Sequence, residues 1–307
     1  MRLFTRLTAT GCTALGIALL AGCSAADPLA ADGGPDAAVT IGSQGFAESD
    51  ILAYVYGLVL ADQGYDVTYE LGIGAREIFI PALQDESIDL IADYSGNLLR
   101  AADPDATASA PADVNAALPE ALEALDLATL EPAPAEDADA LVVTAEFAEA
   151  NDLVSIADLA PIAGTITIGS NTEYETRHYG RPGLADIYGV EGWQFLAIDD
   201  FGGPATLDAL LTGKIQVADI FTTNPALQRE DLVVLEDPER LIPAQNVVPL
   251  LNGTLPADEL GEVLDPVSAQ LTTAELTSLN AIAAGPDKPS PEQIAHDWLV
   301  RKDLLEN

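Results

Sequence analysis

Two apolar runs in this chain stop in the same way, and they constrain its fold more than any other feature. Ile88 to Ala92 runs into Asp93-Tyr94-Ser95-Gly96-Asn97, and Ile215 to Phe221 runs into Thr222-Thr223-Asn224. Runs rich in β-branched residues that end in polar ones read as buried strands whose carboxyl ends open into loops. Such strand ends are where open α/β sheets hold ligands. A ring beside hydroxyls and an amide gives a small organic molecule a face to pack on and several hydrogen-bonding groups. Taken alone, the first stretch fits at least as well a strand end whose Tyr94 caps the core and whose Ser-Gly-Asn turns.

The surrounding pattern places both runs in equivalent units. Val39 to Ser43 reads as a strand and Gln44 to Glu48 as the loop after it. Ser49 is expected to cap a helix with Ile51, Leu52, Val55, Leu58 and Val59 on one face, closed by Gly64. A strand (66–71), a helix (76–84) and the strand at 88–92 complete a strand–helix alternation typical of a mostly parallel sheet covered on both faces. A surface loop (101–111) and a helix (112–125) follow. The pattern then begins again, with strands at 140–143, 165–169 and 193–198, a short helix capped by Ser155, a helix at 205–211 ended by Gly213, and the run at 215–221. Further strands are expected at 232–235 and 247–251. Helices at 257–271, 273–284 and 290–305 form a tail with no strand of its own, which must pack on something already built. The expectation is two facing lobes, with the tail returning to the first.

The amino end carries a different signal. Arg2 and Arg6 precede a short apolar segment, Ala14 to Leu20, and then Leu20-Ala21-Gly22-Cys23. A basic start, a short apolar core and small residues before a cysteine look like a bacterial lipoprotein signal, with residues 1–22 removed and lipid on Cys23. The apolar core is too short for a membrane span of about 20 residues. Residues 23–37 read as a flexible tether of Ala, Asp, Gly and Pro. The other cysteine, Cys12, leaves with the leader, so no thiol remains for a disulfide, a zinc site or a nucleophile.

The formal charge is −38, and all 50 acidic residues lie after Cys23. Nucleic acid is therefore an unsuitable partner, and membrane contact is expected only through lipid on Cys23. At 49% hydrophobic residues the chain is not disordered by composition.

In order and spacing, several short motifs resemble the substrate-binding proteins of osmoprotectant ABC transporters, which carry glycine betaine, choline and related quaternary amines. They are Gly42-Ser43-Gln44-Gly45-Phe46-Ala47-Glu48, Asp93-Tyr94-Ser95-Gly96, Glu173-Tyr174-Glu175-Thr176-Arg177, Asp219-Ile220-Phe221-Thr222-Thr223-Asn224 and Leu232 to Asp237. The resemblance implies an α/β, two-lobed, periplasmic-binding-protein-like fold of type II with mixed, mostly parallel sheets and two hinge crossings. It divides the chain into a discontinuous first lobe (38–140 and 247–307) and a second lobe (141–246). It also implies an extracytoplasmic, monomeric, non-enzymatic protein that delivers an osmolyte to ABC permease subunits and needs no cofactor or metal.

The family holds a methylated ammonium in a cage of aromatic rings. Carried over to this chain, Tyr94 and Phe221 are cage members, and Gln44 and Phe46 belong to the first-loop contact. Arg177 matches an arginine that reaches a ligand carboxylate in some members. Ser43, Ser95, Asn97, Tyr174, Thr223 and Asn224 complete the expected site. Three family tyrosines are replaced, by Ile91, Asp139 and Gln245, so the cage has fewer rings, and Asp139 is expected to face the cation or a hydroxyl.

Two other functions are open to the sequence. The same fold can take an amino acid, a polyamine or another cation. A surface-anchored hydrolase would need chemistry built on His178 with Glu173 and Glu175, but no Gly-x-Ser-x-Gly, His-Glu-x-x-His or phosphate-loop motif is present.

Overall fold

The computed structural model describes residues 38–229 and 231–306. The expected leader, the Cys23 anchor and the tether lie outside the described residues. In chain order the strands are β1 (Ala38–Gly42), β2 (Asp66–Glu70), β3 (Leu90–Tyr94), β4 (Leu127–Thr129), β5 (Leu141–Thr144), β6 (Thr167–Ser170), β7 (Gln194–Ala197), β8 (Val217–Asp219), β9 (Leu232–Val234) and β10 (Val247–Asn252). The helices are α1 (Ala47–Asp62), α2 (Arg76–Gln84), α3 (Ser95–Ala102), α4 (Pro111–Glu123), α5 (Ala145–Asn151), α6 (Arg181–Tyr188), α7 (Pro204–Leu211), α8 (Ala257–Ser268), α9 (Thr273–Ala284) and α10 (Pro291–Arg301).

The strands form two sheets, ordered β2-β1-β3-β10-β4 and β7-β6-β8-β5-β9. In each, three neighbouring strands are parallel, the fourth runs antiparallel to them, and the fifth pairs antiparallel with the fourth and so runs in the direction of the trio; the sheets are mixed and mostly parallel in strand direction, as expected. The topology of the second sheet repeats that of the first. Because β10 follows the whole second sheet in sequence yet pairs with β3 in the first, the chain crosses between lobes twice. The crossings lie side by side, with Asp137 N donating to Gln245 O at 3.1 Å and Val247 N to Ala135 O at 3.0 Å.

Each sheet carries apolar clusters, which for the first sheet separate into one under α1 and α8–α10 and one under α2–α4. Ile51, Leu52, Val55, Tyr56, Val59 and Leu60 of α1 are all buried, on more than one side of the helix. This differs from the single apolar face expected. α8, α9 and α10 cover the side of α1 turned away from the sheet, and Trp298 of α10 is fully buried in the cluster. Burial of such side chains contributes roughly 1.5–3 kcal/mol each.

Two local expectations need correction. Ser49 is not the N-cap of α1; Phe46 occupies that position, and the Ser49 hydroxyl inside the first turn accepts from Gln44 N at 2.8 Å. That bond folds the first loop back onto the helix. Nor is 93–97 a loop: β3 runs to Tyr94, and Ser95 opens α3 directly. The second crossing supplies the reason. Ser95 N donates to Asn246 O at 2.9 Å, and the amide of Asn97, one of the helix's orphan donors, is capped by Gln245 Oε1 at 3.0 Å. A Cβ at Gly96 would lie 2.7 Å from Pro243 Cγ, so only glycine admits this approach. The short strand β4 went unread because Leu-Ala-Thr carries no periodicity and is defined only by its pairing with β10.

Candidate ligand cleft

A cleft opens between the sheets at the carboxyl ends of their strands. Gln44 and Phe46 follow β1, Tyr94 ends β3, and Asn97 stands in the first turn of α3. From the other side come Ser170 and Asn171 after β6, Phe201 and Gly202 after β7, and Asp219 and Phe221 at and beyond β8. Asp137 and Asp139 enter from the first crossing. The space between the lobes measures about 670 Å³ including the part open to solvent.

Phe46 is the hub of an aromatic group. Its ring lies 6.3 Å from Tyr94 in a stacked arrangement, 5.2 Å from Phe201, and 5.5 Å from Phe221 edge-on. Phe46 and Tyr94 belong to the first lobe and the other two to the second, so the rings bridge the cleft. Tyr174 contributes from the second lobe, packed 5.7 Å from Tyr179 in the buried cluster beside Trp193.

The polar groups fall into three sets. Asp93, fully buried, receives Arg76 in two bonds, 3.0 Å from Nε and 2.6 Å from Nη2, together with Gln44 Nε2 at 3.1 Å. Glu48 collects donors from both lobes: Tyr94 Oη at 2.6 Å, Thr223 Oγ1 at 2.7 Å and Asn280 Nδ2 at 2.5 Å. Beside it, Asp137 accepts from Thr223 N at 2.9 Å, and burial, then the Glu48 carboxylate, pushes its carboxyl well above the ordinary range.

The third set is Asp139 and Asp219. Asn97 Nδ2 donates to Asp139 Oδ2 at 2.9 Å and Ser170 Oγ to Asp219 Oδ2 at 2.8 Å, while Asp219 Oδ1 is buried without a partner. Burial, then the neighbouring Asp139, raises Asp219 well above its ordinary value. Burial also raises Asp139, against the opposing pull of Asn97, Arg76 and the Tyr179 hydroxyl.

Of the expected residues, Gln44, Phe46, Tyr94, Asn97, Asp139, Tyr174, Arg177 and Phe221 line the cleft. Ser43, Ser95, Thr223 and Asn224 are not among the lining residues. Their side chains hold the walls instead. Ser43 Oγ donates to Asp50 and accepts from Gly72 N, and Ser95 Oγ accepts from Asn246 N on the second crossing. Thr223 binds Glu48, and Asn224 accepts from Ala226 N to cap the turn after it. Arg177 pairs with neither Glu173 nor Glu175 but with Glu77 of the other lobe, through bonds of 2.6 and 3.0 Å. Glu175 is taken by Arg181.

Arg76, Asp137, Asp219, Tyr179 and Phe201 were not read from sequence as site residues. Asp219 stands within a quoted motif and Asp137 two residues before Asp139, whereas Tyr179 and Phe201 carry no local signal. His178 is half-buried, and burial with nearby Arg100, Arg177 and Arg76 lowers it to about 4. Among the described residues no three His, Cys, Asp or Glu side chains are grouped to hold a metal, and no helix is long and apolar enough to cross a membrane.

The family described as the substrate binding domain of the ABC-type glycine betaine transport system matches residues 37–301. A glycine-betaine-binding protein of Pseudomonas aeruginosa is 25% identical over 279 residues, covering 87% of this chain and 88% of its own. The glycine betaine-binding protein YehZ of Escherichia coli is 24% identical over 276 residues, covering 86% and 90%. The crystal structure of a glycine betaine/carnitine/choline ABC transporter protein superposes with a TM-score of 0.68 at 22% identity, over 87% of this chain and all of the other, a likeness of fold.

Proposed function

The chain belongs to the family of substrate-binding domains of ABC-type glycine betaine transport systems, and from that premise we propose that it captures a small quaternary-ammonium or zwitterionic osmolyte in the interlobe cleft and delivers it to an ABC permease outside the cytoplasm. The observation that carries this reading is the group of rings from both lobes around one void, with buried carboxylates beside it. Each ring facing an ammonium contributes roughly 0.5–2 kcal/mol by cation–π attraction. A ligand that engages Phe46 and Tyr94 on one side and Phe201 and Phe221 on the other links the lobes, which is how a hinged fold turns occupancy into a shape that a partner can recognise. Asp137 and Asp139 sit on the hinge segment itself. In this reading lipid on Cys23 holds the protein at the membrane, with residues 23–37 as its tether.

Titration calorimetry with glycine betaine, choline, carnitine, ectoine and proline tests the ligand class. Saturable heat with at least one quaternary ammonium is expected, and no response to any of the five at millimolar concentration rejects the osmolyte reading.

A further inference from the structure

The charges around the cleft are unevenly matched. Two arginines reach it, and both are engaged. Arg76 makes its two-bond contact with the buried Asp93, and Arg177 makes one with Glu77. The carboxylates of Asp139 and Asp219, both more than nine-tenths buried, have no cation of their own.

The hydrogen-bonding inventory leans the same way. Among lining side chains, the buried atoms without a partner are Asp219 Oδ1, Asn97 Oδ1 and the Tyr174 hydroxyl. Two of these can only accept. An unmet buried acceptor is costly, and the cost is recovered when a ligand brings a donor to it.

We propose that the cleft selects a ligand of net positive charge carrying a hydroxyl donor, a quaternary-ammonium alcohol, over the corresponding zwitterion that ends in a carboxylate, and that Asp139 and Asp219 are the residues that decide this. The inference rests on the osmolyte reading and narrows it to one charge class. An ammonium placed among these carboxylates supplies the positive charge that the protein withholds, and its hydroxyl finds acceptors in Asn97 Oδ1 and Asp219 Oδ1. A ligand carboxylate would instead join two buried carboxyl groups that have no cation of their own and would face unpartnered acceptors, an arrangement by which interfaces reject wrong partners. The upward shift of both carboxyls, caused first by burial, is consistent with a space that lacks positive charge of its own. Arg177 is free to welcome a ligand carboxylate only by leaving Glu77.

Choline and glycine betaine form a matched pair for the test, alike in the trimethylammonium head and different in the group at the other end. Calorimetry on the intact protein is expected to show choline binding at least about tenfold more tightly, since like charges brought together are penalised by more than the roughly 1.4 kcal/mol that tenfold represents. Asp139→Asn and Asp219→Asn are each expected to shrink that ratio, with thermal unfolding confirming that the variants are folded. Glycine betaine binding as tightly as choline or more tightly overturns the inference and leaves the osmolyte reading standing. Binding of neither overturns both. A choline preference unchanged in both folded variants overturns the assignment to these two carboxylates.

Discussion

Asp93 and Asp219 occupy equivalent places, each at the carboxyl end of the strand that lies third in its sheet, and they have opposite surroundings. Asp93 is saturated by Arg76 and Gln44. Asp219 has one hydroxyl, a second carboxylate as neighbour, and an oxygen with no partner. One fold position thus serves two ends. In the first lobe the strand-end carboxylate is an internal fastening that positions α2 against β3. In the second it is left unsatisfied, which costs stability and suits a group held for something that comes from outside.

The contrast breaks most readily at Arg76. Arg76→Ala leaves Asp93 buried without its cation, and removing one partner of a buried pair costs about 3–5 kcal/mol. Chemical denaturation should register a loss of that size, and a cost below about 1 kcal/mol would mean the two aspartates are not different in kind.

The opposite sign is expected at Asp219. A carboxyl raised in the native state binds its proton more tightly than it does in the unfolded chain. Between the unfolded value of about 3.9 and the raised native one, the unfolded state holds fewer protons, so unliganded stability falls as pH rises. Asp219→Asn should therefore raise the melting temperature of the unliganded protein at neutral pH and flatten that fall, each unit of elevation corresponding to about 1.4 kcal/mol. The groups that set this dependence are Asp139, Ser170 and the Ala140 amide around Asp219, with Asn97, Arg76 and Tyr179 around Asp139. A variant less stable than the parent across pH 5–8 would show that Asp219 is as well accommodated as Asp93.

The smallest effect is expected where a charge pair is solvated. Glu77 is well exposed and Arg177 partly so. Glu77→Gln should cost less than about 1 kcal/mol in the same denaturation measurement. A larger loss would place the Arg177–Glu77 contact with the buried Arg76–Asp93 pair, as a fastening between lobes.

The sequence was most legible where the signal is local. α2 and α9 lie where periodicity placed them, and Ser290 caps α10 through Gln293 N as its position before Pro291 implied. Tyr94 and Phe221 stand at strand ends beside the cleft. Legibility failed where a residue's role depends on a distant partner. Ser95 reads as one more hydroxyl near a ligand, yet its Oγ accepts from Asn246, 151 positions on. Thr223 looks like a cleft residue and binds Glu48, 175 positions back. Phe201 has no motif around it and enters the cleft because the turn after β7 brings it to Phe46.

The sequence by itself determined the order and kind of the elements, the two matching units, and the fact that polar and aromatic residues gather at strand ends. These follow from periods of two and 3.6 residues and from capping and breaking residues, all of which act within a few positions. Only the tertiary structure decided which charges are spent and which remain. Arg76 goes to Asp93, Arg177 to a glutamate 100 positions away, and Asp139 and Asp219 meet without a cation between them. Neutralisation of a buried charge depends on what lies within a few ångströms in space, and in a fold whose chain crosses twice between two sheets that neighbourhood has no counterpart along the sequence.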